Sequence, residues 1–285
     1  AQQARGRPPR RRTPTVVDTI PATVNIQGQG VWGRIQGTDG EFESDDVNAV
    51  TVDENTWLAQ AGYDFLISQN DDGTVIGSVF AQYGELDTDV ANVDFGDIAS
   101  LETTGWGVGG GVTWFSPGRA YADGQVSFNW LDGDVTSDGL GELAGDGIDG
   151  TVWAISVEGG YRHEMSPNYY VVPQAQLIYS DADFDDFTDP FGGDVSVEDG
   201  DSLLGRLGVA IEYQDVPDGD RDVTRLQAYG LANVYYEFMG DTGVAVDGID
   251  LQDNNHEVWG EVAAGLTYLF NANWSVYAEG GYLSS

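Results

Sequence analysis

The chain contains no cysteine and no lysine, and only two methionines, Met165 and Met239. Without cysteine there is no disulfide framework and no thiolate chemistry. No apolar run approaches the roughly eighteen residues that a membrane helix needs. Basic charge is scarce: 11 arginines stand against 48 acidic residues, for a net charge of −37. Five of those arginines (Arg5, Arg7, Arg10, Arg11 and Arg12) crowd the first twelve positions. Such a surface repels phosphate backbones, which excludes nucleic acid as a partner. The opening stretch AQQARGRPPRRR lacks the hydrophobic segment of a signal peptide and does not start with methionine. The chain therefore reads as a processed or excised piece of a longer protein.

Glycine and aromatic residues, by contrast, are abundant, with Gly 40, Trp 8, Tyr 14 and Phe 11. An acidic chain this rich in aromatics has a folded body. Residues 1–27 are rich in proline, arginine and threonine without a period and read as a linker, leaving 28–285 as one domain. There, stretches of about ten residues alternate apolar with small or polar side chains, the period of a strand. Trp153, Ile155, Val157 and Tyr161 share one face of a segment whose other face carries Ala154, Ser156, Glu158 and Arg162. Leu207, Val209, Ile211 and Tyr213 likewise oppose Arg206, Gly208, Ala210 and Glu212. Eleven such segments begin near 30, 56, 74, 105, 120, 151, 169, 202, 224, 256 and 274.

The connections alternate as well. Those around 38–54, 86–104, 131–150, 181–201 and 239–255 are long and rich in Asp and Gly; those between are mostly short, with turn residues such as SQNDDG and SPGR. Strict alternation places every long connection at one end of an up-and-down antiparallel sheet. A soluble β-sandwich also alternates, but it lacks that two-ended asymmetry. A transmembrane β-barrel has it, with short periplasmic turns, long outer loops and aromatic girdles at both interfaces. Pairs such as Trp106 and Trp114, or Trp153 and Tyr161, stand at the ends of apolar faces as a girdle requires. The proline in YYVVPQAQLIYS then falls a few residues inside the periplasmic rim, where a bulge or kink absorbs the lost hydrogen bond. Bacterial single-chain barrels have an even strand count, so a twelfth strand is expected beyond Ser285.

Five stretches, in this order, resemble the C-terminal translocator barrel of monomeric autotransporters, the type V secretion proteins. They are GVWGRIQG, VVPQAQLIYS, GDSLLGRLGVAIEY, EVWGEVAAGLTYLF and NWSVYAEGGY. The resemblance covers about residues 30–285. It implies a twelve-stranded outer-membrane barrel that anchors an N-terminal passenger and helps export it. It also implies the barrel-assembly machinery as a partner, reading a terminal Phe or Trp on the final strand. The family usually threads a helix through the pore before the first strand; Pro8, Pro9, Pro14 and Pro21 oppose a long regular helix upstream of residue 21.

On this reading the polar faces line the pore, through Arg34, Gln60, Glu158, Arg162, Gln174, Gln176, Arg206, Glu212, Glu261 and Glu279. The linker arginines are then attracted to an acidic lumen, unless they form a solvated tail. The alternative is a stand-alone outer-membrane pore or surface adhesin without a passenger. Its acidic outer loops would meet lipopolysaccharide, although none has the spacing of a calcium loop. Catalysis has little support. His256 lies near Asp253 and Asp241 at the long-loop end, but His163 lies at the opposite rim and no nucleophile motif accompanies either. No catalytic residue, metal site or cofactor is expected.

Overall fold

Val, Ile, Trp, Tyr and Phe at every second position fit a pleated sheet with two different faces. The computed structural model has this form, with strands throughout and no helix among the described residues, which are 29–43, 50–92, 96–137, 142–188, 194–197, 200–215, 225–239, 241–246, 249–254, 258–271 and 274–284. The strands are β1 (Gly30–Glu43), β2 (Val50–Asn70), β3 (Gly73–Asn92), β4 (Gly96–Phe115), β5 (Ala120–Ser137), β6 (Glu142–Tyr161), β7 (His163–Ser166) and β8 (Tyr169–Phe184). They continue with β9 (Phe187–Thr188), β10 (Asp194–Val197), β11 (Gly200–Gln214), β12 (Arg225–Glu237), β13 (Asp241–Val246), β14 (Ile249–Asn254), β15 (Val258–Asn271) and β16 (Trp274–Ser284). The linker, residues 1–27, and His256 lie outside the described residues.

Eleven strands follow one another in chain order through one antiparallel sheet, β1-β2-β3-β4-β5-β6-β8-β11-β12-β15-β16, with β7 added beside β8. This is the up-and-down order expected from the alternating connections, with the same number of strands. The strands are longer than expected. β2 has 21 residues and β3 has 20, against about 9–11 for a bilayer crossing.

The extra length comes from stretches whose sequence reads as loops. Residues 86–92 and 96–104 pair as two arms, from Leu86↔Thr103 to Asn92↔Gly96, with one register shift between Val90 and Ala91. The described arms of the connections around 38–54 and 131–150 pair in the same way. The remaining two long connections carry β9 and β10, and β13 and β14, which join in a second sheet of order β14-β13-β10-β9. Val195↔Val246 and Val197↔Val244 tie one connection to the other.

Short turns close the opposite end. Asp72 N–H donates to Asn70 Oδ1 at 2.9 Å where β2 turns into β3, and Arg119 takes φ 71° where β4 turns into β5. Pro173 of β8 lies near this end. The β6–β8 ladder stops at Gly160↔Gln174 and β7 resumes it at His163↔Val171 in unchanged register. Two rungs are therefore missing where proline offers no N–H. On its other side β8 stays paired through Val209↔Pro173. The ladder lapses opposite Pro173 rather than bulging there; a register shift occurs farther along, between Glu164 and Ser166.

Candidate functional site

Alternation gives the main sheet two faces. One carries large apolar side chains in the open: Val31 is 84% exposed, Ile35 83% and Leu207 69%. Trp57, Tyr63, Trp106, Trp114, Trp130, Val157 and Ile211 belong to the same exposed set. On the other face polar groups are covered, with Arg206 2% exposed, Asn233 3%, Gln176 7% and Glu158 8%. This reverses a water-soluble protein, in which large contiguous apolar patches are rare and charges stay outside.

Hydrogen bonds that jump over a strand show which way the sheet curls. Neighbouring strands are about 4.8 Å apart, so side chains on next-but-one strands meet only on a concave face. Gln82 of β3 bonds Asn129 of β5 across β4. Arg206 of β11 bonds Glu158 of β6 across β8. Tyr229 of β12 bonds Glu279 of β16 across β15. All lie on the polar face, which is therefore the inside of the curl.

Glycine makes this close approach feasible. A Cβ on Gly107 would stand 2.1 Å from Asn129 Oδ1, in the space where the β3–β5 bond passes. A Cβ on Gly265 would stand 2.3 Å from the Tyr229 ring, which lies flat across β15 to reach Glu279.

Nine of the ten polar residues singled out from the sequence lie on strands of this sheet with their side chains on the inner face, and Arg162 stands between β6 and β7. Arg34 bonds Gln60, and Gln60 passes the chain on to Gln82 at 2.5 Å. Glu158, Gln176 and Arg206 occupy one level of β6, β8 and β11, in the pairs Glu158↔Gln176 and Arg206↔Gln176. Glu158 accepts from Tyr121 as well as from Arg206. Gln174 sits two positions from Gln176, half-buried. Arg162 donates Nε to Glu212 at 2.7 Å and Nη2 to Gln214 at 2.9 Å. Glu261 meets none of the other nine; it accepts from Asn233 at 2.7 Å and Tyr235 at 2.6 Å.

Pattern reading missed the inward-facing aromatics Trp32, Phe80, Tyr121, Tyr229 and Tyr235, because an aromatic in such a strand suggests a lipid face. The available signal was the glycine opposite: Tyr121↔Gly160 and Tyr229↔Gly265 are cross-strand partners. The inner face also holds two apolar clusters, Val172, Ala210 and Leu231, and Ile178, Leu204 and Tyr235. It is mixed, with polar belts separated by small greasy ones.

Outside the apolar band the side chains turn acidic. Just above Trp57, Tyr83 and the stacked pair Trp106–Trp130 (ring centroids 4.3 Å apart), the outward rungs are Asp53↔Asp89 and Asp87↔Glu102. On the inner face there, burial pushes the carboxyl of Glu54 above its ordinary value. At the short-turn rim Glu164 accepts from Arg119 at 2.6 Å, and that bond raises the guanidinium pKa.

Comparison with known proteins follows the same lines. The Autotransporter beta-domain family matches residues 31–281. The Adhesin BmaC autotransporter of Brucella suis biovar 1 (strain 1330) is 34% identical over 253 residues, which is 88% of this chain and 7% of that protein. The Probable autotransporter YfaL of Escherichia coli (strain K12) is 25% identical over 251 residues, 84% of this chain and 19% of its own. The chain thus spans a small fraction of the length of these relatives. Among solved structures, the transport unit of the autotransporter AIDA-I from Escherichia coli has TM-score 0.76 at 21% identity, covering 92% of this chain and 86% of that one. The translocator domain of autotransporter NalP from Neisseria meningitidis has TM-score 0.69 at 16% identity, covering 90% and 82%.

Proposed function

This chain belongs to the autotransporter beta-domain family, and from that premise we propose that its polar inner face lines a pore serving an N-terminal passenger carried by the rest of a longer protein. The domain is an outer-membrane translocator barrel. One observation carries the reading: apolar residues such as Leu207 are exposed on the outside of the curl while Arg206 and Glu158 are covered inside it. Such a sheet is stable with hydrocarbon outside and a polar interior. Twelve-stranded barrels fall between those filled by their own side chains and the open porins. Their lumen holds one extended segment or helix.

The finer assignments follow from that placement. Arg34, Gln60, Glu158, Arg162, Gln174, Gln176, Arg206, Glu212, Glu261 and Glu279 are the pore lining. The outward aromatics contact outer-membrane lipid, and the acidic rungs above them face lipopolysaccharide. The barrel-assembly machinery inserts the domain, and the domain itself performs no chemistry. The passenger is adhesive, a reading favoured by the adhesin relative from Brucella suis.

An epitope tag placed upstream of Ala1 in the full-length protein tests this. In intact Gram-negative cells the tag should bind antibody and be removed by added protease, while the barrel stays protected. A tag that remains inside the cell beneath a folded, membrane-inserted barrel would sink the passenger reading in favour of a stand-alone pore.

A further inference from the structure

The lapse opposite Pro173 leaves β7 weakly attached. β7 pairs with β8 through His163↔Val171, Glu164↔Tyr170 and Ser166↔Tyr169 alone, with a bulge among them. Its four residues are all exposed, and the turn beyond it takes φ 74° at Asn168. On its other flank the β5–β6 ladder has ended at Ala120↔Tyr161. Between β6 and β7 stands Arg162, outside both ladders.

Arg162 is held by everything except the missing rungs. Its amide donates to Arg119 O at 2.9 Å. Its guanidinium bridges β8 to reach Glu212 at 2.7 Å and Gln214 at 2.9 Å on β11. On the way it lies 3.5 Å from the centroid of the Tyr170 ring, a geometry that attracts a cation to the ring face. Among the described residues β7 itself makes the ion pair Arg119–Glu164, with side chains 48% and 42% exposed. Water screens such a pair to little strength. The Arg162–Glu212 pair is better covered, at 33% and 21%.

We propose that Arg162 is a positioning residue that fastens β7 to the sheet in place of the rungs Pro173 cannot make. Its release turns β7 and the 167–168 turn into a movable lip at the periplasmic mouth of the barrel. The fastening stands on the geometry alone. The use of the lip, widening the mouth as a polypeptide enters, rests on the translocator reading.

The test is amide hydrogen exchange on the full-length protein in outer-membrane vesicles, comparing Arg162→Gln, Pro173→Val and the double variant. Arg162→Gln should speed exchange across 163–166 about tenfold, the scale of losing one or two charge-assisted bonds, with β11 unchanged. Pro173→Val should slow it, and the double variant should regain wild-type protection because valine restores a backbone donor. A general loss of stability would not be rescued in this way. Glu212→Gln, which retains size, should reproduce Arg162→Gln if that variant assembles poorly. Unchanged exchange in both single-charge variants, or a double variant as fast as Arg162→Gln, overturns the proposal. The lip's role in passage needs a second readout, the rate at which a tagged passenger reaches the surface. Pro173→Val should slow it; an unaltered rate removes that role and leaves the translocator intact. No display even by the wild type sinks the translocator reading while the exchange result stands.

Discussion

β2 and β3 cross two regions within a single hairpin, and the same face of the same strands changes character on the way. Near the short turn the outward side chains are Tyr63, Phe65, Ile67 and Val79, all substantially exposed. Beyond Trp57↔Glu85 they become Asn55↔Asp87 and Asp53↔Asp89. Backbone pairing runs through both regions, interrupted only by a shift between Leu66 and Ser68 near the short turn. The ladder holds the strand, therefore, while the side chains report which solvent lies against it. The Trp57 indole, which donates to Glu85 at 2.8 Å, marks the change, as an amphipathic ring does at a membrane interface.

The comparison can be broken most severely from inside. Arg206→Met leaves Glu158 buried without its cation, which should cost about 3–5 kcal/mol. Urea titration of the folded protein in detergent or lipid would register it, and the Arg206→Met/Glu158→Leu double variant should recover most of the loss. Next comes the apolar band. Val157→Arg puts a charge against hydrocarbon and should cost about 2–4 kcal/mol if the residue sits near mid-membrane. Asn55→Arg, set among the acidic rungs opposite Asp87, should cost far less, and equal effects would erase the boundary.

Smaller effects sharpen the acidic region. Asp53↔Asp89 and Asp87↔Glu102 place like charges directly opposite each other, which is destabilising and screened by salt. Asp89→Asn should raise stability by roughly 0.2–1 kcal/mol at low salt and have no effect in molar salt. The smallest effect concerns Glu54, whose carboxyl pKa is raised by burial. Such a group favours the fold most when protonated, and that contribution fades as pH climbs through the raised value. Glu54→Gln should flatten this part of the stability–pH curve between the ordinary and the raised carboxyl values, leaving the rest unchanged.

The same division decides what could be read from the sequence. Strand number, order and facing were legible wherever hydrocarbon lies outside, because there every second residue must be apolar. Where water lies on both sides nothing forces alternation. The hairpin ending at Asn92↔Gly96 consequently looked like an acidic loop, and the pairing of β10 with β13 left no local mark. The polar inner residues followed from strand phase, as Arg206 opposite Leu207 illustrates. Their partners did not, since Arg206 finds Glu158 only through the curl of the sheet, across β8. Pro173 was legible as a rim residue, whereas the fastening by Arg162 depends on side chains 50 positions apart in sequence.

The most direct test of the two-faced sheet uses the absence of cysteine. Single cysteines placed in turn along residues 205–212 of β11 can each carry a spin label or fluorophore in the membrane-inserted protein. A lipid-dissolved quencher should reach labels at 205, 207, 209 and 211, and labels at 206, 208, 210 and 212 should escape it. That two-residue rhythm is what the account predicts. Labels that respond alike to the lipid quencher, or a rhythm of opposite phase, would contradict it.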